Sequence, residues 1–322
     1  MAAIASGAKR SVLGEIWDTT RMRLLVELER AGSVSAAAKA VGITQSTASE
    51  HVRLLESAAG QRLVERSGRG SQLNGAGRVL AARAAQALAV LDAGEEELAD
   101  LAGLKTGTIH LGASTAPGVY LLPDTLGCFR RDYPAVRVDV EVAASGEIVA
   151  RLLSGRIQLA IVGGADDPRL HLEPFVEDEI VGVAAPGLPG ASDGVADSRS
   201  LEELMLLKRE PGSSTQAAAD AALEQAGIRP RGVWELGSSE AIKRAARAGL
   251  GVAFLSRYSV AEEVERGELL VFRLAGHAPL VRSFYVAHLA SRTLSPSESA
   301  FVGTLRRCCA KSAAYAEACL AT

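Results

Sequence analysis

The sequence predicts an α/β protein in which a small winged helix-turn-helix is joined by one long helix to a body of alternating strands and helices. Three observations predict this. Residues 37–56 spell two short amphipathic helices around a tight turn, residues 75–101 carry a broad Ala-rich apolar stripe, and beyond residue 107 apolar strands alternate with helices. At 322 residues the chain exceeds most single domains, so two or three folded units are expected. With 48% hydrophobic, 23% charged and only 4% aromatic residues, the composition argues against disorder and against an aromatic-rich β fold.

Residues 1–18 read as a loosely structured lead-in without the apolar run of a secretion signal. A first helix begins at Met22, Leu24, Leu25, Val26 and Leu28 and ends near Gly32. In the motif that follows, small Ala37 and Ala38 let two helices approach closely, Gly42 suits a turn position with positive φ, and Thr44 can cap the second helix. Spacings of four and three turn Ala48, Val52 and Leu55 inward, leaving Gln45, Ser46, Thr47, Ser49, Glu50 and Arg53 outward. Short polar side chains plus one Arg suit a major groove. Leu63-Val64-Glu65-Arg66 and Gln72-Leu73, on either side of a Gly-rich tip, read as the two strands of a wing, with Arg66 and Arg69 beside the DNA backbone. The helix over 75–101, at ~1.5 Å per residue, extends roughly 39 Å. Its stripe of Val79, Leu80, Ala84, Ala87, Leu88, Leu91, Leu98 and Leu101 needs a partner, either the core of its own subunit or a second copy. The second copy is preferred, because two-fold proteins read two half-sites.

In the body, strands are expected at 108–113, 136–142, 159–162, 179–185, 205–208 and 252–255, and helices at 120–133, 147–153, 215–226, 240–248 and 258–265. Ligands of such open sheets bind beyond the carboxyl ends of the strands, where helix N-termini present free N–H groups. The formal charge is −3, yet residues 20–78 hold nine Lys or Arg against five Glu, a local +4 that leaves −7 elsewhere. A basic module on an acidic body fits phosphate contact confined to the first part. Cys128, Cys308, Cys309 and Cys319 lack CxxC spacing, which points to a reducing, cytoplasmic setting, with small buried thiols on a C-terminal helix. No apolar run of ~18 residues suggests a membrane span. The scattered His and Cys make no metal site, and no cofactor is expected.

Over nearly its full length the chain resembles the LysR-type transcriptional regulators. The N-terminal motif of that family reads here as Ala37-Ala38, Thr44-Gln45 and Val52-Arg53-Leu54-Leu55-Glu56, followed by Gly60, Leu63-Val64-Glu65-Arg66 and Leu73-Asn74-Gly75-Ala76-Gly77. Departures are Thr44 for Ser, Ser46 for Pro, Val64 for Phe and Asn74 for Thr, which keep size or capping chemistry. Downstream, residues 155–161 and 248–255 resemble short family segments, with Gln158 replacing Asp, and residues 209–215 and 239–243 are most similar to regulators of carbon fixation and sulfur assimilation. The resemblance implies an effector domain of periplasmic-binding-protein type, with two lobes around a cleft, and assembly as a dimer or tetramer. The implied boundaries are 1–18 for the lead-in, 19–74 for the DNA-binding domain, 75–105 for the linker helix and 106–322 for the effector domain. Within the last, 106–176 and 280–322 form one lobe and 177–279 the other.

The expected DNA contacts are Gln45, Ser46, Thr47, Ser49 and Arg53, with Arg66 and Arg69 at the wing; some of these side chains are equally at home as solvated helix residues. For the effector, Ser114 and Thr115 follow the first strand, Ser145 precedes a helix, and Ser214 and Thr215 start another. These hydroxyls meet in one cleft if the lobes fold as implied, and they suit a carboxylate, sulfate or phosphate, although each also serves as a helix cap. Expected partners are double-stranded DNA, a small anionic effector, further copies of the chain and RNA polymerase, with no membrane. Two rival readings are a serine hydrolase, since Gly112-Ala113-Ser114-Thr115-Ala116 approaches a nucleophile elbow with His277 or His288 as base, and a solute-binding protein. The elbow lacks its last Gly, and a solute-binding protein has no use for a DNA-binding module.

Overall fold

The structure is a computed structural model that describes residues 17–67, 70–101, 106–188 and 194–320. Two compact units result, one reaching to Glu95 and including Leu153–Arg156, the other formed by Glu96–Leu152 and the chain from Ile157 on.

The first unit opens with α1 (Thr19–Ala31), α2 (Val34–Val41) and α3 (Gln45–Ala59), followed by the antiparallel hairpin of β1 (Val64–Ser67) and β2 (Gly70–Leu73) and by the long α4 (Gly75–Leu101), whose residues from Glu96 on count with the second unit. Each short helix starts on a side-chain cap: Asp18 accepts from Arg21 N at 2.7 Å, Ser33 from Ala36 N at 3.2 Å and Thr44 from Thr47 N at 3.1 Å. Gly42, at φ 78°, takes the left-handed turn between α2 and α3 that its position in the sequence anticipates. Leu24, Leu25, Leu28, Ala37, Ala38, Ala48, Val52 and Leu55 meet Leu63 and Leu73 in one core, where the small side chains of α2 permit close helix contact. Glu56 ties α3 to the wing by accepting the backbone N–H groups of Leu63 and Val64 at 2.9 and 3.2 Å. Asn74 then caps α4 through Gly77 N at 3.0 Å, so the exchange of Thr for Asn preserves the cap. The apolar stripe of α4 divides: Ala84 and Leu88 are buried, while Val79 and Leu98 are 65% and 70% exposed and Leu91 is also exposed.

The second unit contains β3 (Gly107–Ser114), α5 (Thr115–Tyr120), α6 (Leu122–Asp132), β4 (Val136–Ala143), α7 (Ser145–Leu153), β5 (Leu159–Val162) and β6 (Leu170–Ala184). There follow β7 (Val195–Ala196), α8 (Ser198–Glu202), β8 (Met205–Lys208), α9 (Ser214–Gln225), β9 (Gly232–Glu235), α10 (Ser239–Arg247), β10 (Ala253–Ser256) and α11 (Arg257–Glu265). The chain ends in β11 (Leu270–Leu274), β12 (Leu280–Leu289) and α12 (Pro296–Leu320). The large sheet runs β4-β3-β5-β12-β6-β11-β7, with β10 also on β6, and β8-β9 form a separate parallel pair. The antiparallel β6 and β12 cross from the first lobe, built on β3 to β5, into the second, built around β8 to β11. The core of the first lobe centres on Ile109, Leu111, Phe129, Phe284 and Phe301, and those of the second on Leu206, Phe254 and Phe272 and on Val183, Ile242 and Leu255.

Three expectations need correction. The helix expected over 120–133 starts only at Leu122, with Pro123 in its first turn, and a separate short helix, Thr115–Tyr120, precedes it across Leu121. The strand expected at 179–185 begins at Leu170, because Glu173, Pro174, Glu177 and Asp178 conceal its alternation; β12 shifts register at Phe284/Tyr285, opposite the Pro174 region that lacks an N–H to donate. Of the vicinal thiols only Cys309 is buried, and burial pushes it up to about 11, whereas Cys308 is half-buried. Among the described residues no helix is long and apolar enough to cross a membrane, and no group of three or more His, Cys, Asp or Glu is placed to hold a metal ion.

Candidate functional site

On the first unit, α3 presents Gln45, Ser46, Thr47, Ser49 and Arg53 together on its exposed face, because Ala48, Val52 and Leu55 are committed to the core. The first turn is organised by Thr44, whose Oγ1 lies 2.8 Å from both Ser46 Oγ and Thr47 Oγ1. Glu50 pairs with Arg53 one turn along, holding the guanidinium over the polar face while leaving it largely exposed. Arg66 sits on β1 opposite Ser71, and Arg69 lies outside the described residues. An exposed face of hydroxyls, an amide and a guanidinium at the start of a helix can donate to phosphates and read base edges in a major groove.

On the second unit, Ser114, Thr115, Ser145, Ser214 and Thr215 line one cavity between the lobes. Ser114 ends β3, Thr115 opens α5, Ser145 opens α7, and Ser214 and Thr215 open α9, so strand ends and helix N-termini bring them together. Two arginines share the cavity and were not singled out from the sequence as site residues. Arg282, on β12, bonds Ser214 Oγ at 3.0 Å and Thr215 Oγ1 at 2.9 Å. Its cross-strand neighbour Asp178, on β6, accepts from Arg282 Nε at 2.9 Å and from Ser256 Oγ at 2.7 Å. Burial raises the Asp178 carboxyl above its ordinary value, opposed by Arg282 and Ser256. Arg209, at the end of β8, reaches Ser239 Oγ at 2.6 Å, Thr115 Oγ1 at 3.1 Å and Glu210. A signal for Arg282 did exist, since it is a charged residue inside a largely apolar strand, a pattern stable only with a buried partner, whereas Asp178 lies in the acidic run Glu177-Asp178-Glu179 and gave none.

The lobes touch through this chemistry. Arg209 of one lobe bonds Thr115 of the other, and Ser145 Oγ lies 2.9 Å from Ser214 Oγ. Farther from the cavity, Lys243 of α10 stands over the Tyr120 ring at 5.5 Å and pairs with Glu263 at 2.7 Å and Glu240 at 3.1 Å. Burial pushes the Tyr120 hydroxyl up; it pulls the Lys243 ammonium down, but the surrounding carboxylates and Tyr120 outweigh it and raise that group. Inside the cleft about 10 Å³ is free, room for one water, whereas a groove lined by Ser145, Gly146, Lys208, Arg209, Glu210, Ser214 and Asp220, among others, holds about 460 Å³. No histidine lines either space.

Residues 19–78 match the model of the bacterial regulatory helix-turn-helix protein, lysR family, and residues 102–310 match that of the LysR substrate binding domain. The chain is 30% identical over 286 residues to the HTH-type transcriptional activator CmpR of Synechocystis sp., covering 88% of this chain and 93% of the relative. It is 29% identical over 286 residues to the RuBisCO operon transcriptional regulator of Acidithiobacillus ferrooxidans, covering 88% and 91%. Among solved structures, the Synechocystis CcmR regulatory domain in complex with 2-PG superposes with a TM-score of 0.58 at 29% identity, covering 62% of this chain and 96% of that one. The resemblance read from the sequence thus extends to carbon-fixation regulators. With a helix-turn-helix whose polar face is free for DNA and a two-lobed body around a polar cleft, both matched across their lengths, the chain belongs to the LysR family of transcriptional regulators, DNA-binding proteins that carry an effector domain.

Proposed function

We propose that this regulator reads DNA through Gln45, Ser46, Thr47, Ser49 and Arg53, with Arg66 and Arg69 on the flanking backbone, and that a small anionic metabolite bound between the lobes changes how it does so. Residues 19–74 serve as the DNA-binding domain, 75–105 as the linker that pairs two copies, and 106–322 as the effector domain. The exposed Val79, Leu91 and Leu98 of α4 supply an apolar surface for that pairing. The assembly works in the cytoplasm as a dimer or tetramer, with RNA polymerase as its further partner.

The observation that carries the effector reading is the cavity in which Arg209, Arg282 and the hydroxyls of Thr115, Ser145, Ser214 and Thr215 meet from separate segments of the chain. Guanidinium groups and helix N-termini are oxyanion donors, and the related CcmR regulatory domain holds 2-PG. The same cavity speaks against the serine-hydrolase reading, since Ser114 has no histidine base beside it. An effector shifts the regulator only by its differential affinity for two lobe or subunit arrangements, which alters the spacing and bend of the two bound half-sites. The test is promoter footprinting of the purified protein, its own upstream region included, across a salt series with and without 2-PG. The expected result is a pair of protected half-sites, weakened by salt, whose extent or bend changes with the ligand. A folded, oligomeric protein that protects no sequence at any salt overturns the DNA reading, and an unchanged footprint with bound ligand overturns the effector reading.

A further inference from the structure

The cleft is already electrically balanced by the protein itself. Arg282 is matched by Asp178 and Arg209 by Glu210, and the guanidinium edge of Arg209 that a ligand would use is taken: Nε donates to Glu210 Oε2 at 2.8 Å and Nη2 to Glu210 Oε1 at 2.5 Å. That bidentate arrangement is the one by which Arg recognises a carboxylate or phosphate. The two carboxylates differ in how they are held. Asp178 is fully buried and fixed by Ser256 as well as Arg282. The Glu210 side chain is 25% exposed, lies on the wall of the open groove, and its carboxylate bonds nothing but Arg209 among the described residues. Arg209 is itself anchored without Glu210, by Ser239, by Thr115 and through its backbone N–H to Gln216 Oε1 at 3.0 Å.

We propose that Glu210 is an internal stand-in for the ligand, a displaceable carboxylate that occupies the oxyanion position on Arg209 and sets which anions enter the cleft. This rests on the effector reading above and refines it. An incoming oxyanion takes the Nε/Nη2 edge, and Glu210 swings into the groove, where water solvates it. Exchanging one carboxylate for another leaves the charge balance at Arg209 unchanged and returns little free energy. A ligand must therefore offer more, and the second interaction is available a short way in, where Ser145, Ser214 and Arg282 give up their mutual bonds. The class of ligand is a small molecule with two anionic groups, one for Arg209 and one for these inner donors, and singly charged carboxylates are refused.

The test is calorimetric titration of the full chain with 2-PG, inorganic phosphate and acetate, comparing the wild type with Glu210→Gln, which keeps the shape and removes the charge, and Glu210→Asp, which keeps the charge. The expected result is that Glu210→Gln tightens 2-PG roughly tenfold, the worth of one charge-assisted hydrogen bond, and makes acetate binding detectable. Glu210→Asp does neither and melts like the wild type, whereas Glu210→Gln, which leaves the buried Arg209 without its carboxylate, melts lower and is restored by 2-PG. Equal or weaker 2-PG affinity in Glu210→Gln, in a protein whose binding is lost in Arg282→Met/Asp178→Leu, overturns the stand-in while leaving the anion site in place. No binding of any of the three probes to the wild type or to Glu210→Gln overturns both.

Discussion

The polar face of α3 and the cleft between the lobes use the same vocabulary, hydroxyls at helix starts beside arginines, yet they are built in opposite ways. The face of α3 comes from one contiguous segment, is exposed, and leaves Gln45 and Ser49 facing solvent. The cleft comes from residues as distant in sequence as Thr115, Ser145, Arg209 and Arg282, is buried, and has its donors engaged with one another. A surface that must meet a large, fixed partner can be offered ready. The cavity instead holds its polar groups in internal bonds, and under the proposed function a ligand would exchange these for its own and so shift the balance between lobe arrangements.

This contrast is most directly broken at Arg282. Arg282→Ala strands Asp178 in the interior, so denaturant unfolding of the effector domain should show a loss of roughly 3–5 kcal/mol, and Arg282→Met/Asp178→Leu a much smaller one. Equal losses would mean that the pair is not what holds the crossing strands. In the DNA-binding unit the comparable liability is steric: a Cβ at Gly77 would lie 2.2 Å from the Leu63 carbonyl oxygen, so Gly77→Ala should destabilise that unit by about 1–3 kcal/mol. A thermal melt of the full chain in a Trp234→Phe background, followed by the fluorescence of Trp17, which packs against that core, reads this out. Arg53→Ala acts on function instead of folding, lowering the slope of log affinity against log salt by about 1 if the guanidinium meets a phosphate, or relaxing one base position at a cost of about 1–3 kcal/mol if it meets guanine. Binding measured over a salt series with single-base operator variants separates the two, and no change in either would remove Arg53 from the interface. The smallest effect belongs to Thr44→Ala, which loses the cap at Thr47 N and should cost ~1 kcal/mol of stability with the fold intact.

What could be read from the chain followed from the range of the interactions involved. The two helices around Gly42, the cap at Thr44, the inward set Ala48, Val52 and Leu55 and the wing strands are written in spacings of a few residues, and so is the resemblance that named the family. The five hydroxyls of the cleft were legible for the same reason, as residues at strand ends and helix starts. Arg209 stood in a recognised segment but received no role, and Arg282 none at all, because their significance depends on Asp178, Glu210 and Ser239 across other elements. The polar residues of β6 likewise hid a strand whose partners lie seventy or more residues away in the chain.

By itself the sequence determined the local periodicities, caps and turn glycines, since these depend on backbone preferences and on which side chains avoid water within one helix or strand. Only the tertiary structure decided which charges neutralise each other and how little room the cleft leaves. Ion pairing in a low-dielectric interior is set by distance in space, and pattern along the chain does not encode it.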